Sequence, residues 1–236
     1  MDITTLRKYL QTQTQDDSII NILSFFSLSD ICIDDSNTDI LITVLRYMGS
    51  GHPMRYQYRV YDSIRDAVQT CIENNCVNNL NTILSFIDTH EMNKRLINKR
   101  MLSSHIDLVH VRYHFSDAAV ILGHLACLIL LHQYGYLING GRDTMEESAI
   151  CGYLECLVYL HENGCPWDAQ TSELAAGFGH LECLVYLHEH GCPWDERTTA
   201  QACEHGHSNC FLYAYNNGCQ TDDLYLYCLT EIFTDD

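Results

Sequence analysis

A seventeen-residue segment occurs twice almost unchanged and twice more in altered form, and this repetition limits the chain to few folds. The clearest copies are GYLECLVYLHENGCPWD, beginning at Gly152, and GHLECLVYLHEHGCPWD, beginning at Gly179. Altered copies begin at Gly206, after a step of the same length, and at Gly123, which precedes Gly152 by a slightly longer step. A fixed period of about 20 to 50 residues is typical of solenoids, in which each unit buries its apolar face against its neighbours.

Each unit has the pattern of two helices joined by a turn. Thr171 is predicted to cap the first helix, and Gly179 to end it, because glycine adopts the left-handed conformation of a helix end at little cost. The second helix is apolar over more than half of its circumference, so it is predicted to pack between neighbours, and Gly191 to end it. Threonines followed three residues later by Glu or Gln predict capping boxes in two neighbouring units, at Thr144 with Glu147 and at Thr198 with Gln201.

These residues resemble the ankyrin repeat family, over residues 114–223. The residues that match the family pattern are Thr171, Ala175, Ala176, Gly179, His180, Leu184, Leu187, Gly191 and Asp195. The resemblance implies an all-α, ankyrin-type helical solenoid of four repeats. The 27-residue period, against about 33 in the family, implies shortened or absent β-hairpins. The wording of the units is most similar to short-repeat ankyrin proteins of large DNA viruses that infect amoebae.

Both ends of the chain lie outside these four units. Residues 1–60 are predicted to be an N-terminal helical segment, with amphipathic helices over 18–27 and 39–48. The stretch 16–31 faintly resembles the opening of an F-box, so this segment is either a docking module or an ordinary helical cap. Residues 224–236 are predicted to form a C-terminal capping helix, because terminal repeats need a polar outer face.

Residues 61–113 hold either degenerate repeats or an insertion, and the sequence leaves both open. Apolar residues within 67–72 and 80–87 have helical spacing and predict one degenerate helix pair. The asparagine-rich stretch 74–79 predicts a link longer than the Gly-His turn that it replaces. The basic stretch 90–113 then breaks the 27-residue phase.

Charge favours a protein partner over nucleic acid or membrane. The formal net charge is −18, and from residue 115 onward 18 acidic residues face two basic ones, Arg142 and Arg197. Such a surface repels phosphate backbones and anionic lipid, so we expect neither partner, but a protein with a basic or mixed apolar and basic surface. The start of the chain lacks the apolar core of a signal peptide, which predicts a cytoplasmic location, in the host cytoplasm if the chain is viral. A monomer is expected.

Thirteen cysteines and thirteen histidines raise the question of a metal site. Seven cysteines occupy two repeated positions, which predicts reduced packing residues in a reducing compartment. The resemblance gives the histidines of the Gly-His turns, such as His180, a hydrogen-bonding role between units. No Cys-x-x-Cys pair, phosphate-binding glycine loop or nucleophile motif occurs in the sequence. We therefore expect no metal, no cofactor and no catalytic residue, and not an enzyme.

Histidines and tryptophans near the second helices have structural explanations. His161 and His188 fall in the last turn of their helices, where the helix dipole favours a protonated imidazole. Trp167 and Trp194 align with the aliphatic Ile138, and repeat-phased apolar positions normally serve stacking. We therefore predict that the tryptophans pack between repeats.

The positions that vary most between units are predicted to bind the partner. The two positions before each Gly-His turn differ between units, whereas packing residues barely change, and the resemblance implies that these positions face a concave groove. Phe178 is the expected anchor, because aromatic residues dominate binding hot spots. The candidate residues are Ile150, Cys151, Phe178, Glu204 and His205, with Glu146 and Glu173 as an acidic rim.

Together these features predict a non-enzymatic protein–protein interaction scaffold of ankyrin-type repeats that binds a protein on its concave face. One alternative is a ubiquitin-ligase substrate adaptor with an F-box-like N-terminus. Another is a structural virion or assembly component. The identity of captured partners distinguishes the three.

Overall fold

A computed structural model describes residues 27–49, 57–89, 101–102, 112–113, 115–136 and 142–222. The chain forms two compact units, Met1–Tyr136 and Leu137–Asp236. The described elements are helices, apart from two strands of two residues each. None of the helices in this part of the chain is long and apolar enough to cross a bilayer.

The first unit is built of helix pairs stacked in chain order. Its described helices are α1 (Leu28–Cys32), α2 (Thr38–Gly49), α3 (Gln57–Glu73), α4 (Val77–Thr89), α5 (Phe115–Ile121) and α6 (Leu125–Gln133). The first helices α1, α3 and α5 pack in sequence, and the second helices α2, α4 and α6 pack beside them. Buried Ile64, Leu84 and Val120 contribute to the apolar core. This arrangement confirms the helices predicted over 39–48 and within 61–113, whereas the helix predicted over 18–27 lies almost wholly outside the described residues.

The pair α1 and α2 stacks in the same way as the repeats, although its sequence shows no repeat. A 3-10 turn, Asp35–Asn37, joins the two helices. The carboxylate of Asp35 accepts hydrogen bonds from the backbone N–H groups of Asn78 (3.1 Å) and Asn79 (2.8 Å), so it caps the start of α4. The buried amide of Asn79 donates to the carbonyl of Asp34 (2.9 Å) and accepts from the Thr38 hydroxyl (2.7 Å). These bonds join the first two helix pairs.

The prediction of a long asparagine-rich link was wrong. Asn75 has a positive φ of 53° and takes the place that glycine occupies in the other turns. The N–H of Cys76 donates to the carbonyl of Cys71 at 2.8 Å, and α4 begins at the next residue, Val77. The link is therefore as short as a Gly-His turn. Asparagine tolerates the left-handed conformation better than most residues, because its short polar side chain bonds locally.

The stretch left open between a degenerate repeat and an insertion also contains a strand pair. Strands β1 (Met101–Leu102) and β2 (Arg112–Tyr113) pair antiparallel, with Met101 opposite Tyr113. They lie directly before α5 in the chain. Among the described residues this is the one place where two strands pair.

The second unit is a stack of three described helix pairs. They are α7 (Arg142–Cys151) with α8 (Leu154–Glu162), α9 (Ala169–Gly177) with α10 (Leu181–Glu189), and α11 (Glu196–Glu204) with α12 (Ser208–Asn216). First helices pack on first helices, and second helices on second helices. The small side chains of Ala175 and Ala176 are fully buried, which allows this close approach. The predicted all-α, ankyrin-type solenoid is confirmed, whereas the predicted capping helix over 224–236 lies outside the described residues.

The caps of the first helices differ from the prediction. Asp168, not Thr171, is the N-cap of α9, and its carboxylate accepts from the N–H of Gln170 at 3.0 Å. Asp195 caps α11 in the same way. Thr144 likewise lies inside α7, so the predicted capping boxes at threonine were wrong. The carboxylate wins because it is a charged acceptor at the positive end of the helix dipole. The threonines at these positions are buried instead.

The repeated cysteines after each second helix also link the two ends of a helix pair. The thiol of Cys192 donates to the carbonyl of Asp168 at 3.3 Å, and the thiol of Cys219 donates to the carbonyl of Asp195 at 3.1 Å. Each bond runs from the link after one second helix to the N-cap of its own unit's first helix. The cysteine therefore holds the pair together at the loop side, as a buried and weakly polar packing residue.

Candidate partner-binding surface

A contact between glycine and histidine positions the turns at which the candidate residues lie. The ring of His180 lies against Gly152, where any Cβ would overlap it, and its Nε2–H donates to the carbonyl of Ile150 at 2.8 Å. In the next unit, a Cβ on Gly179 would lie 2.5 Å from Nδ1 of His207. The hydrogen-bonding role that was expected of His180 is confirmed. Each turn is thus held by the histidine that comes one repeat later.

The candidate row lies at the C-terminal ends of α7, α9 and α11. Phe178 is the C-cap of α9, and 51% of its surface is exposed. Ile150 and Cys151 are half-buried, and Glu204 and His205 are exposed. Since the three first helices stack, these aligned positions form one row across the unit. Its apolar end, aromatic centre and polar end follow the order expected from the sequence.

The two rim carboxylates are engaged within the unit. Glu146 accepts from the side-chain amide of Gln170 at 3.3 Å, and Glu173 lies 3.4 Å from the guanidinium of Arg197. Both contacts join the same two repeat positions on neighbouring first helices. The side chain of Glu173 is only 21% exposed, so it belongs to the stack more than to the surface. This role depends on helix register, which the repeat pattern did not reveal.

Arg197 bonds mainly to its own N-cap. Its guanidinium reaches the carboxylate of Asp195 at 2.8 Å, and this hydrogen bond lowers the pKa of Asp195. The contact to Glu173 is longer. The positive charge of Arg197 is therefore shared between two carboxylates of the unit, and the exposed end of the row keeps its negative character.

The polar end of the row presents hydrogen-bond acceptors. Nδ1 of His205 lies 3.0 Å from the carbonyl of Gln201, and since a carbonyl only accepts, Nδ1 carries the proton. In the neutral ring, Nε2 is then an exposed acceptor. The Glu204 carboxylate beside it accepts from the side-chain amide of Gln201 at 3.4 Å.

The second helices carry a ladder of aromatic and histidine side chains. The ring of His161 stacks on Trp167 at 3.8 Å, and its Nδ1 lies 2.9 Å from the hydroxyl of Tyr186 on the next helix. His188 repeats the arrangement with Trp194 and Tyr213. Each tryptophan therefore stacks first on a histidine of its own unit, and the histidine makes the contact between repeats. The sequence prediction had assigned that contact to the tryptophans.

Burial, not the helix dipole, governs His161. Loss of solvent lowers its pKa, the nearby imidazole of His190 lowers it further, and Glu162 acts in the opposite direction. The expectation of a favoured imidazolium at this helix end was therefore wrong. The ring lies against Trp167 and Tyr186, where a charge is poorly solvated.

The described residues offer little chemistry of their own. No group of three or more His, Cys, Asp or Glu side chains among them could hold a metal ion. Burial raises the pKa of Cys183 to about 12 and that of Cys192 to about 11, so these thiols stay protonated near neutral pH. Such thiols are poor nucleophiles.

One cysteine departs from the expected reduced state. Eleven cysteines of the described part are free thiols, but Cys203 is in a disulfide whose partner lies outside the described residues. Cys203 is half-buried, whereas the aligned Ala176 is fully buried. The repeat phase therefore predicted packing cysteines correctly at the buried positions and wrongly at this more accessible one.

Comparisons with known proteins bear on the fold alone. The sequence matches no protein-family model, and no curated protein is significantly similar to it. Among solved structures, the human ASB11 ankyrin repeat domain is similar, with a TM-score of 0.53 over 83% of this chain and 85% of that chain, at 13% sequence identity. Together with the stacked helix pairs and the Gly-His turns, this similarity shows that the chain has the fold of an ankyrin repeat domain.

Proposed function

We propose that this protein is a non-enzymatic protein–protein interaction scaffold that binds a protein partner on the concave face of its repeats. The observation that carries the proposal is Phe178, an aromatic side chain left 51% exposed at the centre of a row whose positions differ between otherwise similar repeats. A solenoid that varied only for packing would keep these positions alike. Exposed aromatic residues at the centre of an interface commonly dominate its binding energy.

Charge supports a partner with a basic or mixed apolar and basic surface. Acidic residues greatly outnumber basic ones from residue 115 onward, and one of the two arginines there, Arg197, is shared between Asp195 and Glu173. Such a field accelerates encounter with a basic protein and makes the association dependent on salt. In this proposal residues 114–223 carry the partner, and residues 1–60 act as a docking module or a cap. The similarity of the units to viral ankyrin proteins supports a location in a host cytoplasm, where the chain acts as a monomer.

Affinity purification with the full-length chain tests the proposal. Partners captured by the wild type are compared with those captured by Phe178→Ala combined with His205→Ala. The double variant should bind a captured partner at least about tenfold more weakly, which corresponds to about 1.4 kcal/mol. Its thermal midpoint should stay nearly unchanged, because both side chains are exposed.

Tyr215→Ala is the matched control. Tyr215 is an aromatic residue of similar exposure, 40%, but it lies on the second helix α12, away from the row. If this variant loses the partner and the double variant keeps it, the concave assignment is wrong. Ligase scaffold subunits among the captured proteins would instead support the adaptor role, and structural viral proteins alone would support the assembly role.

A further inference from the structure

The two parts of the candidate row ask for different chemistry from a partner. Phe178 offers an apolar ring at the end of α9. The neighbouring end of α11 offers the Glu204 carboxylate and Nε2 of His205, which act as acceptors. A matching partner therefore carries an apolar side chain at one point and hydrogen-bond donors at the other.

Charge selects among the possible donors. A Lys or Arg side chain brings several N–H groups and a positive charge to a region dominated by carboxylates. Arg is favoured over a neutral donor because its bond to Glu204 is assisted by charge. Arg197 does not supply this cation from within the chain, since its guanidinium is held by Asp195 at 2.8 Å.

The packing of the helices sets the distance between the two points. Neighbouring packed helices lie about 8 to 10 Å apart, so Phe178 and the acceptors of α11 are separated by about that distance. A polyproline II segment places residues three apart on the same side, with a separation of about 9.3 Å. Its backbone N–H groups are also open to the acceptors, whereas those of a helix are already bonded.

We infer that the partner binds through an extended basic segment, which places an apolar side chain on Phe178 and, three residues away, a Lys or Arg against Glu204 and His205. This inference rests on the proposed function and names the class of its partner. The segment crosses from α9 to α11 along the row. Neither the acidic character of the unit nor Phe178 alone would require this spacing.

Fluorescence anisotropy with synthetic peptides and the full-length protein tests the inference. The probe is a labelled, proline-rich twelve-residue peptide with one Leu and one Arg three residues apart, made in both orders. Two relatives serve as comparisons: one replaces Arg by citrulline, which keeps N–H donors but has no charge, and one moves Arg next to Leu. For the better order, each change should weaken binding at least about fivefold, or about 1 kcal/mol.

Protein variants assign the contacts. Glu204→Gln should weaken the Arg peptide and leave the citrulline peptide within about twofold, because only the charged pair is lost. Phe178→Ala should weaken both peptides, and Tyr215→Ala should weaken neither. Equal binding of the Arg and citrulline peptides, indifference to the position of Arg, or no binding of the Arg peptide at about 1 mM would overturn the inference.

The outcomes separate this inference from the proposed function. If Phe178→Ala with His205→Ala loses the captured partner but the peptides do not discriminate, the concave scaffold stands and the basic segment is rejected. If the peptides discriminate but the captured partner is unaffected, the proposed binding face is rejected for that partner.

Discussion

Gly179 and Gly191 have nearly the same backbone conformation, with φ of 79° and 82°, but different surroundings. A Cβ on Gly179 would lie 2.5 Å from the ring of His207, whereas a Cβ on Gly191 would meet nothing within 4 Å. The two residues therefore separate the cost of left-handed backbone from the cost of contact between repeats.

Gly179→Ala is expected to destabilise the protein clearly more than Gly191→Ala. Both variants bear the left-handed strain of about 1 to 2 kcal/mol. The first also displaces the His207 ring, an overpacking cost of about 1 to 3 kcal/mol. Urea denaturation of both variants measures the difference. Equal losses would mean that the histidine ring yields freely and does not lock the turn.

Some residue-level features could be predicted from the sequence, and others depend on neighbours in space. The glycine ends at Gly179 and Gly191 followed from conformational preference alone. The cap of α9 did not, because Asp168 and Thr171 both fit a capping pattern and the choice rests on burial of the threonine. The engagement of Glu173 depends on Arg197 in the following repeat, which aligns with it only when the helices stack.

At the scale of elements, the joint between α8 and α10 has one imidazole more than the joint between α10 and α12. His190 stacks on Tyr186 at 3.9 Å and lies 5.6 Å from His161. In the neighbouring repeats its position is Asn163 and Asn217. All three side chains bond to the carbonyl of the tyrosine four residues earlier, at 2.8 Å. His190→Asn therefore keeps the local bond and removes only the ring.

This substitution should raise the pKa of His161 and reduce the sensitivity of the protein to acid. The pKa of His161 is lowered by burial first and by His190 second, with Glu162 opposing both. A histidine whose folded pKa lies below its unfolded value of about 6.5 stabilises the fold above that pH, and the contribution is lost as pH falls through the folded pKa.

NMR titration of the His161 ring in the wild type and His190→Asn gives the pKa directly. Urea denaturation at pH 7.5 and pH 5 should show a smaller loss of stability on acidification in the variant. An unchanged pKa for His161 would show that burial alone determines it. His188 provides an internal reference, because its joint, with Tyr213, has asparagine at the corresponding position.

The elements differ in how far the sequence revealed them. The second helices of the repeats were predictable because their apolar residues recur at helical spacing in nearly identical segments. The stacking of α1 and α2 was not, because only the burial pattern of a repeat survives there, in residues such as Ile31, Leu41 and Leu45. The turn at Asn75 was hidden for a related reason, since asparagine there replaces glycine in conformation but not in sequence.

At the scale of the whole molecule, the cysteines predict a defined pattern of thiol reactivity. The chain has thirteen cysteines, and a single disulfide at Cys203 leaves eleven free thiols. In denaturant without reductant, eleven thiols should react with a thiol reagent, and with reductant thirteen. In the native protein at pH 8 reaction should be slow, because burial raises the pKa of thiols such as Cys210 and Cys219 to about 11.

The same count bears on the proposed cytoplasmic location. Disulfides are rare in a reducing cytosol. Thirteen free thiols after anaerobic purification would remove the disulfide at Cys203 and agree with that compartment. Nine or fewer would instead contradict the interpretation of the repeated cysteines as packing residues. Mass spectrometry after alkylation identifies which cysteines are protected.

The contact between a glycine turn and the histidine of the following repeat also affects how such an array is inherited. Each junction is shared by two copies, so neither copy alone contains a complete one. Loss of residues 180–206 would join Gly179 to His207 and bring that histidine to the turn at Gly152, where His180 now lies. Recombination in steps of one whole repeat therefore recreates every junction, whereas any other step destroys one. Gene copies that lengthen or shorten the array by one unit are thus expected to survive selection far more often than insertions of other sizes.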